Sequence, residues 1–110
     1  MLTCLSKNYN MENITVAEVK KRLDAGENLN LVDVREPSEN AEFNIGGKLV
    51  PLGNIRTMDI PQLEDLKDQE VICYCRSGAR SGQACMILES LGFTNTKNLV
   101  GGMLAWKEGN

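Results

Sequence analysis

The amino-acid sequence predicts a single α/β domain: a mostly parallel sheet flanked by helices on both faces, in three α/β/α layers. Three observations point there. From Ile14 onward, short apolar runs alternate with segments of helical period. Val71-Ile72-Cys73-Tyr74-Cys75 is apolar throughout, as expected of a strand covered by helices on both faces. The chain has 110 residues, room for one core and not two.

Each element has a local reason. Residues 1–12 show no periodicity and read as a loose extension, so the domain is placed at 13–110. Thr15-Val16-Ala17-Glu18 has the spacing of a capping box and opens a helix that runs to about Ala25 and stops at Gly26. Leu29 to Val34 reads as a buried strand. Pro37 suits a first helical turn, giving a short helix to Phe43 that Gly46-Gly47 breaks. Leu49-Val50 begins a short extended segment limited by Pro51. Ile60 to Leu66 is a candidate helix. Ser81 to Leu91 is the clearest helix, with Ala84, Ile87, Leu88 and Leu91 as its apolar stripe and Gly92 as its stop. Asn98 to Val100 is a last strand, and Gly101-Gly102 opens a C-terminal helix that Trp106 anchors in the core.

Composition removes several classes of function. The net charge of −3 argues against nucleic acid or an anionic membrane as partner. The chain has no histidine, the commonest general base and metal ligand. Neither a signal peptide nor a transmembrane run is visible, so a reducing cytoplasm with free thiols is the expectation. No metal site or cofactor is expected.

The chemistry concentrates in one strand–loop–helix segment, Cys75-Arg76-Ser77-Gly78-Ala79-Arg80-Ser81. In parallel sheets, sites lie beyond the C-terminal ends of the strands, and Cys75 stands at such an end. Gly78 permits a tight turn in which successive N–H groups point inward as an anion-binding nest. The following helix brings its positive end to the same point, and Arg76 and Arg80 bring two charges. A thiol there loses its proton readily and needs no separate base. The same kind of turn also occurs in α/β domains with no activity, and a buried cysteine is a common core residue.

Over Ile14 to Gly109 the chain resembles a rhodanese domain. Leu31-Val32-Asp33-Val34-Arg35-Glu36 is similar to that family's first-strand signature, the Cys75–Ser81 segment to its active-site loop, and Leu99 to Trp106 to its C-terminal Gly-Gly…Trp signature. The resemblance implies that Cys75 accepts a sulfane sulfur and that Arg76, Ser77, Gly78, Ala79, Arg80 and Ser81 form the anion cradle. It implies a small anionic sulfur donor, thiosulfate or a persulfide, and an acceptor that is cyanide, a thiol or a protein. Ser77 stands where many thiosulfate-preferring relatives carry a basic residue, which points away from thiosulfate as the physiological donor. The rival readings are a non-catalytic binding module and a phosphatase or arsenate reductase on the same fold. The latter have Cys-x5-Arg loops, and the spacing here is Cys-x4-Arg.

Around the loop, Asp33 and Arg35 are expected to brace it by hydrogen bonds, with donor steering by Arg35 as the alternative. Cys73 and Cys85 are read as core residues, with resolution of a persulfide or disulfide as the alternative for Cys73, and Cys4 as an incidental thiol in the extension, with a sulfur relay as its alternative.

Overall fold

The structure is a computed structural model, and it describes residues 11–108. The strand that reads most clearly in sequence, Val71–Tyr74, lies in the middle of the sheet. The described strands are β1 (Glu12–Ile14), β2 (Leu31–Asp33), β3 (Lys48–Leu49), β4 (Val71–Tyr74) and β5 (Thr96–Leu99). They are ordered β1-β5-β4-β2-β3, and every pair is parallel. The helices are α1 (Val16–Asp24), α2 (Pro37–Glu42), α3 (Leu52–Arg56), α4 (Ala79–Ser90) and α5 (Gly102–Glu108), with a 3-10 turn at Pro61–Leu66.

Side-chain alternation along β4 divides the core. Val71, Cys73 and Cys75 join Leu52 and Ile55 of α3, Leu63 of the 3-10 turn and Ala84, Cys85 and Leu88 of α4 on one face. Ile72 and Tyr74 join Val16 and Val19 of α1, Met103 of α5 and Phe43 on the other. All four β4 residues are buried, the burial that their unbroken apolar run predicts. The predicted parallel three-layer architecture is therefore what the chain adopts.

Local signals hold at several ends. The Thr15 hydroxyl accepts from the Glu18 amide at 3.1 Å, and α1 closes at Ala25 with Gly26 in the left-handed region. Other boundaries differ from expectation. β1 pairs Glu12 with Lys97 of β5, and Met11 packs against the core, so the fold begins before residue 13. Residues 1–10, with Cys4, lie outside the described residues. Helix α3 has no clear apolar period in its five residues, and only Leu52 and Ile55 are buried. The predicted helix over Ile60–Leu66 is the 3-10 turn, where Pro61 supplies no donor to the first turn. Helix α4 starts at Ala79, two residues earlier than expected. No described helix is long and apolar enough to cross a membrane.

An ion cluster ties the sheet to α1 at the end away from Cys75. Glu70 accepts from both terminal nitrogens of Arg22, at 3.0 and 2.6 Å, and from Lys97 at 2.8 Å. The hydrogen bonds from Arg22 are the main reason the Glu70 carboxyl falls from 4.5 to about 2. A carboxyl whose folded value is depressed stabilises the fold fully above its unfolded value and loses that contribution as pH falls through the folded one. Stability should therefore decline from about pH 4.5 toward pH 2, and Glu70→Gln should be less stable at neutral pH with a flatter acid limb. Urea denaturation across this range checks it; an acid limb as steep as wild type would refute it.

Candidate functional site

Cys75 immediately follows β4, at the C-terminal edge of the sheet, and is 1% exposed. Gly78 is the N-cap of α4, with φ +109°, where glycine alone is at ease. A glycine cap offers no side chain to the amides of the first helical turn. The sulfur takes that role. Cys75 Sγ accepts from the Gly78 amide at 3.0 Å and the Ser81 amide at 3.4 Å, with the Ser81 hydroxyl at 3.5 Å. Burial pushes the Cys75 thiol up. The Ser81 hydroxyl, when it turns to the sulfur, and the amides of Ser81, Gly78 and Ser77 outweigh it, and the group titrates below the ordinary thiol value.

The carbonyl side of the same loop faces α5. The Met103 amide donates to Cys75 O at 2.9 Å and the Leu104 amide to Arg76 O at 3.0 Å. This requires backbone on backbone at Gly102, whose φ is +55°. A Cβ there would overlap the Cys75 carbonyl oxygen and lie 2.6 Å from that of Arg76. Gly102 is thus part of the loop's support, although it lies more than twenty residues away in sequence.

The two arginines of the loop are not equivalent. Arg76 is exposed, and no ion pair among the described residues involves it. Arg80, expected to lend its charge to the cradle, instead donates from both terminal nitrogens to Glu39 of α2, at 2.8 and 2.9 Å. That pairing is the chief reason the Glu39 carboxyl drops to about 2. The early start of α4 places Arg80 in the first helical turn facing Glu39, and its charge also acts on Cys75. Ser77 and Ala79 are exposed, while Gly78 is half-buried and Ser81 fully buried.

Asp33 and Arg35 are buried together. Arg35 Nε donates to Asp33 Oδ1 at 2.9 Å, an Arg35 terminal nitrogen to Oδ2 at 2.8 Å, and the Arg35 amide to Oδ1 at 3.0 Å. Arg35 also donates to the Phe43 carbonyl, and Asn40 donates to Asp33 Oδ2 at 2.9 Å. The pair holds α2, and α2 presents Glu39 to Arg80. The pair's side-chain bonds to other residues run to Asn40 of α2 and the Phe43 carbonyl rather than to the Cys75–Ser81 loop, and the Arg35 side chain is only 6% exposed. Sequence reasoning missed Glu39 and Asn40, whose only signal is the Glu36…Glu39 capping box of α2. It also missed Asn98 of β5, which bonds both Ser81 and Gly78.

Cys73 and Cys85 are fully buried below Cys75. Cys85 Sγ donates to the Lys97 carbonyl at 3.3 Å, and the shared hydrogen bond with Cys85 together with burial pushes the Cys73 thiol well up. Both are core residues in placement. No three potential metal ligands cluster among the described residues.

A family profile described as rhodanese-like domain matches residues 15–109. The chain belongs to the rhodanese family. This rhodanese domain is 42% identical over 99 residues to the sulfurtransferase-named protein YtwF of Bacillus subtilis, covering 88% of this chain and 91% of that one. It is 43% identical over 91 residues to a sulfurtransferase of Allochromatium vinosum, covering 80% of each. The crystal structure of a rhodanese-like domain protein from Staphylococcus aureus superposes with a TM-score of 0.76 at 33% identity, over 87% of this chain and 91% of that one. The family and these relatives support sulfur transfer as the general activity.

Two substitutions separate the supports of the loop. Arg35→Ala strands the buried Asp33 carboxylate and should cost about 3–5 kcal/mol. Gly102→Ala should cost roughly 1–3 kcal/mol through backbone strain and should also slow alkylation of Cys75. Urea denaturation and iodoacetamide kinetics check both; a large rise in donor KM for Arg35→Ala with an unchanged melting temperature would instead assign Arg35 to donor steering.

Proposed function

We propose that this rhodanese domain moves a sulfane sulfur through a persulfide on Cys75. The observation that carries the reading is the sulfur acting as cap to α4. Backbone amides of a helix N-terminus stabilise an anion without a counter-charge, and they serve equally a thiolate and the terminal sulfur of a persulfide. In the first step the Cys75 thiolate attacks the sulfane sulfur of the donor, and the donor's S–S bond breaks. With thiosulfate the leaving group is sulfite, and Cys75–S–S⁻ remains. In the second step cyanide, a low-molecular-weight thiolate or a protein thiolate attacks the outer sulfur and regenerates the Cys75 thiolate. No proton transfer is required in either step, which suits a chain without histidine.

The charge inventory favours a persulfide as donor over thiosulfate. Thiosulfate is a dianion, and one of the two cations of the loop, Arg80, is already paired with Glu39. Ser77 adds no charge. Backbone dipoles and the exposed Arg76 are what remain for the donor, a set matched to a monoanion. The three described cysteines are free thiols, which suits a reducing compartment such as the cytoplasm.

Incubation with a donor panel of thiosulfate, glutathione persulfide and 3-mercaptopyruvate, read by intact mass, tests the proposal. A single adduct of about 32 Da is expected, absent in Cys75→Ser and retained in Cys73→Ser and Cys85→Ser. It should form faster with glutathione persulfide than with thiosulfate. No adduct with any donor would favour a binding module. Glu39→Gln should release Arg80 and narrow the gap between the donors by accelerating thiosulfate; an unchanged ratio would remove the charge argument.

A further inference from the structure

Ser81 has one hydroxyl proton and three acceptors within reach. Its Oγ lies 2.5 Å from Asn98 Oδ1, 3.2 Å from the Gly78 carbonyl and 3.5 Å from Cys75 Sγ. The orientation of the Asn98 amide is dictated by its other contact. The atom facing the Gly78 carbonyl, at 3.2 Å, must be Nδ2, because a carbonyl can only accept. The atom facing Ser81 is then Oδ1, which also can only accept. Ser81 must therefore donate to Asn98, and the sulfur is left with the Gly78 and Ser81 amides.

The placement is built into the sheet. Asn98 stands on β5 opposite Cys73, so its side chain emerges beneath the turn into α4. Gly82, the next residue along α4, borders it: a Cβ at Gly82 would lie 3.4 Å from Asn98 Nδ2, an ordinary contact. Ser81 is wholly buried, so water does not compete for its hydroxyl.

We infer that Asn98 is a positioning residue that holds the Ser81 hydroxyl away from the Cys75 sulfur and so restrains formation of the thiolate. To stabilise the thiolate, the hydroxyl must leave the Asn98 oxygen. The depression of the Cys75 titration that the Ser81 hydroxyl can supply is offset by this competing bond. The other ionisable groups that interact with Cys75 are Cys73 on β4 and Arg80 on α4, the latter paired with Glu39. Neither changes in the variants below. The bearing of this on sulfur transfer rests on the Cys75 reading above, but the thiol itself is read by alkylation whether or not a persulfide forms.

The test is the pH dependence of iodoacetamide alkylation at Cys75, followed by peptide mass so that other cysteines are separated. Asn98→Ala removes the competing acceptor and should lower the midpoint by roughly half to one pH unit, a three- to tenfold gain in thiolate well below it. Asn98→Asp keeps an acceptor on Ser81 and adds a negative charge, and should raise the midpoint by at least as much. Both variants lose the bond to the Gly78 carbonyl, so a merely structural role moves both midpoints the same way, and that result would overturn the inference. A double-mutant cycle with Ser81→Ala supplies the second reading. The downward shift from Asn98→Ala should vanish when Ser81 is alanine; a shift that persists there also overturns it. Circular dichroism confirms that each variant compared is folded, and the Asn98→Asp arm with its own Ser81→Ala partner stands alone if Asn98→Ala does not fold.

Discussion

The site depends on one backbone constraint: the first turn of α4 has amides to satisfy and a glycine at its cap. A helix usually meets that need with a serine, threonine or aspartate side chain at the N-cap. Here Gly78 has none, and the Cys75 sulfur, three residues upstream, accepts the Gly78 and Ser81 amides instead. The same bonds that complete the helix stabilise an anionic sulfur. Fold stability and thiol reactivity are consequently linked. A change that moves the sulfur also uncaps α4, and a change that shifts α4 also alters the thiol.

The rest of the molecule keeps that arrangement in register. Central strand β4 delivers Cys75 to the sheet edge, and α5 covers the outward carbonyls of Cys75 and Arg76 through the close approach at Gly102. With the carbonyls engaged on one side, the amides are left facing the sulfur on the other. Across the site, Asp33 and Arg35 hold α2, and Glu39 of α2 holds Arg80. The sulfur meets oriented peptide dipoles directly, through the Gly78 and Ser81 amides.

Much of this was legible in sequence because it is written in local pattern. An apolar run with no alternation gives a central parallel strand. A strand that runs into a short glycine-containing loop and then a helical period gives a nest at a strand end. Those two readings place Cys75, Gly78 and Ser81 together without any long-range information. Local pattern puts the start of α4 two residues late, because Ala79 and Arg80 look like loop when read beside Gly78. Placing them in the helix turns Arg80 toward Glu39, and that partner comes from 41 residues away. Pairings of this kind have no local signature. Glu39, Asn98 and Gly102 act through contacts that only the folded chain creates, and β1 was invisible because three residues on an edge strand, two of them exposed, carry too little pattern.

The absence of histidine then reads as consistent with the chemistry. A general base is needed when a nucleophile must shed its proton during the reaction. A sulfur that caps a helix can be ionised beforehand, so the loop answers that need with geometry. Such a site still requires control, because a permanently exposed thiolate is open to oxidation. Cys75 is controlled by burial, which opposes ionisation, and by the Ser81 hydroxyl, whose single proton goes to Asn98 unless it turns to the sulfur. The amides set a fixed stabilisation, and the hydroxyl sets an adjustable one. Because the adjustable part runs through Asn98 on β5, the reactivity of a residue at the end of β4 is governed in part by the strand beside it.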